Sequence, residues 1–309
     1  MKPIVSIIMA TYNRANLISE SLLAIKNQNY KTWECIIIDD GSNDDTVEKV
    51  ASYTENDSRF KYFHRPDKHK KGLPGCRNYG LDKADGNYIV FFDDDDIPHP
   101  QLLELAVKEL NNEKYDYFRY ERSTFNSEFQ GDFNYLTDYH AWEITIEDLG
   151  AIIRNEIPFN SCQILWRKSA IGKKRFEECL MFAEEWEFYS RLLSKGLKGI
   201  SIDQVLYFGR KHANSNTGEF ENKDPQRVRS KIRAAVLIIS HLSAKNLFNH
   251  QLKKYFIRLG FQLKSKEIID KALFHAGSGI TEKIKYQIGY WFYPILRPLF
   301  ILKGKFNFS

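Results

Sequence analysis

The first hundred residues of this chain alternate between two hydrophobic patterns. Short runs rich in apolar, β-branched and aromatic residues are typical of strands, and they cover residues 4–12, 33–38, 59–64 and 87–92. Segments with apolar residues at helical spacing follow these runs, and they predict helices over 13–28, 41–53, 75–84 and 101–112. Strands and helices that alternate in this way favour βαβ units and an α/β fold with a mainly parallel sheet.

Two of the predicted helices begin with polar residues that are typical helix caps. Asn13 or Asn16 is suited to cap the first helix, because an Asn side chain can accept from the free backbone N–H groups there. Ser42 and Asp45 have the spacing of a capping box, which predicts the start of the second helix.

The pattern is less regular in the second half of the chain. Residues 115–139 mix aromatic and charged residues without a period, so no element is predicted there. A strand, a loop and a helix are predicted from residue 158 onward, and 205–212 forms a last strand. After Pro225 the chain is predicted to be helical to its end, with a break near Gly277–Gly279.

Composition narrows the class of protein. A chain of 309 residues with 43% hydrophobic content can bury a full core, as one large domain with an appendage or as two small domains. No window offers the roughly 20 apolar residues of a spanning helix, and the apolar N-terminal run is interpreted as a strand rather than a signal peptide. Four cysteines without C-x-x-C spacing favour reduced thiols in a cytoplasmic protein over a zinc site or a disulfide framework.

Charge is distributed unevenly along the chain. Residues 222–309 hold 17 Lys/Arg and 4 Asp/Glu, a net charge of +13, whereas 1–221 carry a net charge of −8. The sequence therefore predicts an acidic region, 1–221, that is followed by a basic helical region, 222–309. The basic region is a candidate for contact with an anionic surface.

Two clusters of carboxylates follow predicted strands. Asp39–Asp40 ends one strand and Asp93–Asp96 ends another, so both are expected at the same edge of a parallel sheet, where ligands bind in such folds. If strand geometry continued, Asp93 and Asp95 would point to one side and would suit a hard cation such as Mg²⁺ or Mn²⁺. Helix capping is the alternative, and it applies best to Asp96.

These segments together resemble a family 2 glycosyltransferase of the GT-A fold. The segment VSIIMATYNR is similar to the opening strand of the family, WECIIIDDGSNDDT to its nucleotide-binding segment, and GLPGCRNYGLDKADGNYIVFFDDDD to the run into its D-x-D metal motif. The resemblance implies a Rossmann-like mixed sheet flanked by helices, with a nucleotide-sugar half, 1–105, and an acceptor half, 106–221. The basic helical region would be an extension of that fold.

The resemblance also implies a set of donor-binding residues, which are Thr11, Tyr12, Arg14, Asp39, Asp40, Arg77, Asp93, Asp94 and Arg210. Tyr12 would stack on the nucleobase, with plain packing as the alternative. Asp39 would hydrogen-bond the base, and Asp40 would hold the loop. Arg77 would approach the phosphates, with a surface charge as the alternative.

The metal and the catalytic base follow from the same resemblance. Asp95 would be the main metal ligand, Asp93 would assist it, and His212 could contact the metal or the pyrophosphate. KKRFEECLMFAEEWEFYSRLL resembles the acceptor-side segment of the family, in which Glu185 would be the general base and Glu184 the alternative. An amphipathic helix with solvated glutamates would look the same without the resemblance.

The implied activity is inverting, metal-dependent transfer of a sugar from a nucleotide sugar, with a uridine diphosphate donor favoured. The acceptor would be a hydroxyl of a surface glycan or a lipid-linked oligosaccharide, and no nucleic acid partner is expected. The basic helices would contact an anionic membrane, on the inner face of the plasma membrane, or pack as a helical cap. Alternatives are a nucleotidyltransferase, a non-catalytic binding module of the same fold, and a glycoside hydrolase.

Overall fold

A computed structural model describes residues 4–111, 113–126, 128, 129, 131, 133, 134, 138–211 and 216–306, except for the side chains of 216 and 294–306. The chain divides into two compact units, Met1–Ser230 and Lys231–Ser309. The division of the chain into functional regions at residues 105 and 221 stays a prediction.

The first unit is built on one mixed sheet of nine strands in the part of the chain that the structure describes. The strands are β1 (Val5–Thr11), β2 (Trp33–Asp39), β3 (Phe60–His64), β4 (Tyr88–Phe92), β5 (Ile97–Pro98), β6 (Tyr117–Asn126), β7 (Ala141–Ile144), β8 (Ile164–Arg167) and β9 (Gly199–Lys211). Their order is β3-β2-β1-β4-β8-β6-β9-β5, and β7 pairs with β9. Strands β1 to β4 are parallel to one another. Strand β8 pairs antiparallel with both β4 and β6, and it thereby connects the first four strands to the rest of the sheet.

Twelve α-helices occur in the described residues. They are α1 (Ile18–Lys26), α2 (Thr46–Thr54), α3 (Leu73–Lys83), α4 (Leu102–Leu110), α5 (Leu149–Ile153), α6 (Lys168–Ile171), α7 (Glu184–Leu193), α8 (Asn216–Glu221), α9 (Pro225–Ala244), α10 (His250–Gln262), α11 (Lys266–His275) and α12 (Ile280–Phe306). The predicted break near Gly277–Gly279 is confirmed, since α11 ends and α12 begins on either side of it.

Both faces of the central strands are covered, which explains their continuous apolar runs. Every residue of β2 is buried, and so is every residue of β4. On one face, Ile7 of β1 shares a hydrophobic core with Leu22 of α1. On the other face, α3 lies so close to β1 that a Cβ at Gly80 would come within 2.3 Å of Ile8 Cγ2. The helices thereby fix the carboxyl ends of β1, β2 and β4 at one edge of the sheet.

The predicted helix caps are wrong. Helix α1 begins after Leu17 and α2 after Asp45, and neither cap residue makes a capping side-chain hydrogen bond. Ser42 instead accepts from the Asn13 N–H at 2.9 Å, and its own N–H donates to Asp39. Asn13 and Ser42 therefore tie the two loops to each other and do not cap the helices.

Strand β6 lies in the stretch for which the sequence predicted no element. Its first residues are buried, and they include Arg119, whose guanidinium donates to Ser201 Oγ at 2.9 Å and to Glu121. A buried arginine interrupts the apolar pattern of the strand, so the sequence shows no hydrophobic periodicity that would predict it. Pairing with β9 and β8 supplies the structure that local sequence did not indicate.

The second unit, Lys231–Ser309, contains most of α9 together with α10, α11 and α12. In the described residues, none of the helices combines the length and the apolar composition that crossing a membrane would require.

Candidate active site

The acidic clusters meet at the carboxyl edge of the parallel strands, as the sequence predicted. Thr11 at the end of β1 lies opposite Asp39 at the end of β2 in the register of the sheet. Strand β4 lies on the other side of β1 and ends at Phe92, immediately before Asp93. Side chains from three strand ends therefore surround one edge of the sheet.

The expected alternation of the four aspartates is wrong. The strand ends at Phe92, and Asp94 and Asp95 lie in a turn, so the period of two does not continue. Asp96 does not cap a helix either, because the short strand β5 follows it and α4 begins only at Leu102. Its Oδ1 accepts from the Arg210 N–H at 2.7 Å.

Basic side chains surround the four carboxylates. Arg14 Nε lies 3.3 Å from Oδ1 of Asp94, and its Nη2 lies 3.8 Å from Oδ2 of Asp95. Arg210 donates from Nε to the Asp95 carbonyl at 3.0 Å, and Arg122 lies 3.6 Å from Asp96. Arg77 Nη2 lies 3.4 Å from Oδ1 of Asp93, so four arginines lie beside the four acids.

Burial, and after it mutual repulsion, raises the pKa values of two of these carboxyl groups. Burial, with a further contribution from neighbouring Asp95, raises the pKa of Asp94 to about 7. Burial, together with Asp93 and Asp95, raises the pKa of Asp96 to about 8. These carboxyl groups retain protons near neutral pH unless a further positive charge stabilises their ionised forms.

The residues fit a hard divalent cation. Ligand atoms of Asp93, Asp96 and Cys162 lie within 4.8 Å of one another, and Oδ2 of Asp96 is buried without a hydrogen-bond partner. Burial holds the pKa of the Cys162 thiol well above its usual value, so the carboxylates are the better ligands. Asp95 stays a predicted ligand, and His212 lies outside the described residues.

Tyr12 follows β1, Asp39 ends β2 and Asp40 follows it, at the edge where nucleotide binding is predicted. Tyr12 is 43% exposed, and Lys71 Nζ lies 4.4 Å from the centre of its ring. Asp39 is fully buried and accepts the Ser42 N–H at 3.1 Å. Asp40 accepts the Gly72 N–H at 2.9 Å and pairs with Arg65, so it fixes the loop that carries Lys71.

Arg77 is a buried residue that joins the two halves of the site, and it is not a surface charge. Its Nη2 lies 3.4 Å from Oδ1 of Asp93, and its Nη1 lies 3.1 Å from Oε1 of Glu184. Nη2 also donates to Ser161 Oγ at 2.8 Å. A guanidinium offers donors in several directions at once, which allows one side chain of α3 to contact both Asp93, just after β4, and Glu184, the first residue of α7.

The two predicted base candidates have different surroundings at the start of α7. Burial raises the pKa of Glu184 to about 7, although Arg77 favours its ionised form. Glu185 is partly exposed, and its Oε2 accepts the Ser161 N–H at 2.7 Å. Ala183 precedes them with a left-handed φ of 63°, a conformation that is costly for a residue with a Cβ.

The segment 175–178, which the resemblance aligned with the acceptor side, is tied to α3. Arg175 pairs with Asp82 at 2.6 Å. Glu178 accepts from Asn78 at 2.9 Å and from the Lys70 N–H at 2.8 Å, and it lies 2.7 Å from His69 Nδ1. These contacts hold the segment 175–178 against α3 and against the loop that contains His69 and Lys70. The sequence analysis did not identify Ser161 or His69, because neither lies in a recognisable motif.

The family model described as glycosyl transferase family 2 matches residues 6–179 of this chain. A Campylobacter jejuni GalNAc(5)-diNAcBac-PP-undecaprenol beta-1,3-glucosyltransferase is 42% identical over 108 residues, which are 35% of this chain and 33% of that protein. The Escherichia coli protein WfgD, a UDP-Glc:alpha-D-GlcNAc-diphosphoundecaprenol beta-1,3-glucosyltransferase, is 38% identical over 126 residues, which are 40% of this chain and 48% of that protein. The chain thus spans less than half of the length of these relatives.

The fold extends further than these sequence matches. The crystal structure of S. aureus TarS 1-349 in complex with UDP-GlcNAc aligns with a TM-score of 0.60 over 93% of this chain and 91% of that one, at 17% identity. The predicted fold, a GT-A mixed sheet with a helical C-terminal region, is confirmed.

Proposed function

The chain belongs to glycosyl transferase family 2, and we propose that it transfers one sugar from a UDP-sugar to a hydroxyl of a lipid-linked glycan. The transfer would depend on a divalent metal and would invert the anomeric configuration. The donor and acceptor classes are supported by two relatives whose names specify undecaprenol diphosphate acceptors, one of them with UDP-Glc, and by TarS in complex with UDP-GlcNAc. We propose a cytoplasmic protein that reaches its acceptor at the inner face of the plasma membrane.

The observation that carries this proposal is the junction at Arg77. Asp93 on the donor side and Glu184 on the acceptor side both lie within 3.4 Å of its guanidinium. Glu185 is adjacent in sequence and is held through Ser161, which also accepts from Arg77. A carboxylate able to accept a proton therefore lies next to carboxylates that suit a divalent cation.

In the proposed mechanism Tyr12 would stack on the uracil ring, and Asp93 and Asp95 would hold the cation. A bound Mn²⁺ or Mg²⁺ would supply a Lewis acid that stabilises the departing diphosphate. Glu185 would accept the proton of the acceptor hydroxyl, while the oxygen forms its bond to the anomeric carbon and the bond to the diphosphate breaks on the opposite face. Its hydrogen bond from the Ser161 N–H would orient one oxygen and leave the other for the proton.

Release of nucleoside diphosphate from a panel of sugar nucleotides tests this function. We expect release from one UDP-sugar, only when an undecaprenyl diphosphate-linked sugar and Mn²⁺ or Mg²⁺ are present. NMR of the product would give the anomeric configuration, and retention would contradict the inverting mechanism. Formation of a sugar nucleotide from a nucleoside triphosphate and a sugar phosphate, with release of pyrophosphate, would establish the alternative activity.

A further inference from the structure

Helix α12 presents an apolar surface to water. Among its described side chains, the exposed large hydrophobic residues are Ile280, Ile284, Ile288, Trp291 and Phe292. Ile280 is 77% exposed and Trp291 is 71% exposed, which is unusual for side chains of this size. We call these five residues the α12 stripe.

The orientation of α12 is fixed by contacts of its opposite face within the second unit. Glu282 pairs with Lys253 of α10 at 2.7 Å, and the Tyr290 hydroxyl donates to the Lys264 carbonyl at 2.7 Å. The ring of Tyr293 lies 5.1 Å from that of Phe261. Glu282, Tyr290 and Tyr293 therefore face other parts of the second unit, and the stripe faces away from them.

Basic residues flank the stripe on both sides. With about 100° per residue, the five residues of the α12 stripe fall within roughly 120° of one another around the helix. Lys283 and Lys285 lie about 100° to either side of Ile284. An apolar band between two lysines is typical of a helix that lies in the plane of a membrane interface, where long basic side chains reach the phosphates.

Charge decides between a membrane and a second copy of the chain as the occupant of this surface. Residues 231–309 contain 14 Lys/Arg and 3 Asp/Glu, and Glu282 is already paired with Lys253. Two copies that met through their stripes would bring these like charges together. An anionic lipid surface instead attracts them.

We propose that the α12 stripe docks the chain on an anionic bilayer, with Trp291 and the isoleucines at the boundary of headgroups and acyl chains. Lys283 and Lys285 would lie among the lipid phosphates. Only the purpose of docking rests on the proposed function: it would bring the active site to lipid-linked acceptors.

Flotation of the full-length chain with vesicles, in the absence of sugar nucleotide, tests the proposal. We expect binding to phosphatidylcholine vesicles that contain phosphatidylglycerol, and much weaker binding to phosphatidylcholine alone. The triple variant Ile284→Ser, Ile288→Ser, Trp291→Ser should bind at least about tenfold more weakly. Burial of even one large apolar side chain contributes about a factor of ten to affinity, so loss of three sets this as the minimum. Leu23→Ser, which removes an exposed apolar side chain of α1, is the matched control and should bind as the wild type does.

A second variant tests the lysines. Lys283→Gln with Lys285→Gln should weaken binding roughly fivefold per lysine at low salt and less at high salt. Equal binding of the wild type and the triple variant would overturn the proposal. So would a triple variant that loses only self-association in analytical ultracentrifugation, since the stripe would then be an interface between copies.

The outcome is independent of catalysis. A chain that floats with vesicles but transfers no sugar would contradict the proposed function and leave the docking surface in place. A chain that transfers sugar but does not float would do the reverse.

Discussion

Arg77 Nη1 donates to Oε1 of Glu184 across 3.1 Å, and both side chains are buried. The contact connects α3 to the first residue of α7. Removing water from an ion pair is costly, so the carboxylate is not fully stabilised by its partner. The raised pKa of Glu184, about 7, expresses this cost.

Stability is therefore predicted to depend on the ionisation of Glu184. A carboxyl whose pKa rises from 4.5 to about 7 on folding stabilises the fold fully below pH 4.5, and this contribution is lost as the pH rises through 7. Glu184→Gln removes this dependence. Relative to the wild type, the free energy of unfolding of the variant should increase by roughly 2 kcal/mol between about pH 5 and pH 8, as urea titrations would measure. If the free energies of unfolding of the variant and the wild type differed by the same amount at both pH values, the raised pKa of Glu184 would be contradicted.

Glu185→Gln should abolish transfer while donor binding persists. The amide keeps the size of the side chain but cannot accept a proton, so kcat should fall by about 10²–10⁴-fold. Product formation and calorimetric titration with the UDP-sugar would separate the two effects. Glu113→Gln replaces an exposed carboxylate in the same way and should keep full activity. Normal turnover by the Glu185 variant would transfer the role to Glu184.

Asp95→Ala should remove metal-dependent transfer and leave the fold intact. Mutation of a residue that only supports a metal ligand typically lowers metal affinity or activity by about 10–100-fold. Loss of the ligand itself should cost at least about 10-fold. Activity as a function of Mn²⁺ concentration gives the measurement, with Asp85→Asn at an exposed site as the control. If the variant kept full activity in the presence of a chelator, the metal ligand would have to be sought elsewhere.

Tyr12→Ala should weaken donor binding. Stacking of a base on an aromatic ring is worth about 1–3 kcal/mol, so the dissociation constant for the UDP-sugar should rise roughly tenfold. Tyr12→Phe keeps the ring and should bind nearly as the wild type does. Equal affinities of the alanine variant and the wild type would indicate that the exposed ring has another partner.

The position of the acids at the sheet edge could be predicted because short apolar runs lead into them. The strands before Asp39 and Asp93 are buried on both faces, so their apolar runs are visible in the sequence and fix which acids lie at the sheet edge. Capping by Ser42 was predicted wrongly, because a loop-to-loop contact with Asn13 competes with the local helix motif. A sequence pattern shows local preferences but not which distant group will satisfy them.

Periodicity and charge over a few residues were enough to predict the alternation of β1–β4 with α1–α4, the acids at the strand ends and the basic C-terminal region. Only the tertiary structure decided that Arg77 joins Asp93 to Glu184, that Ser161 orients Glu185, and that β6 pairs beside β9. These contacts join residues 16 to 107 positions apart along the chain. Their partners are chosen by packing of the whole sheet, and no local pattern records that choice.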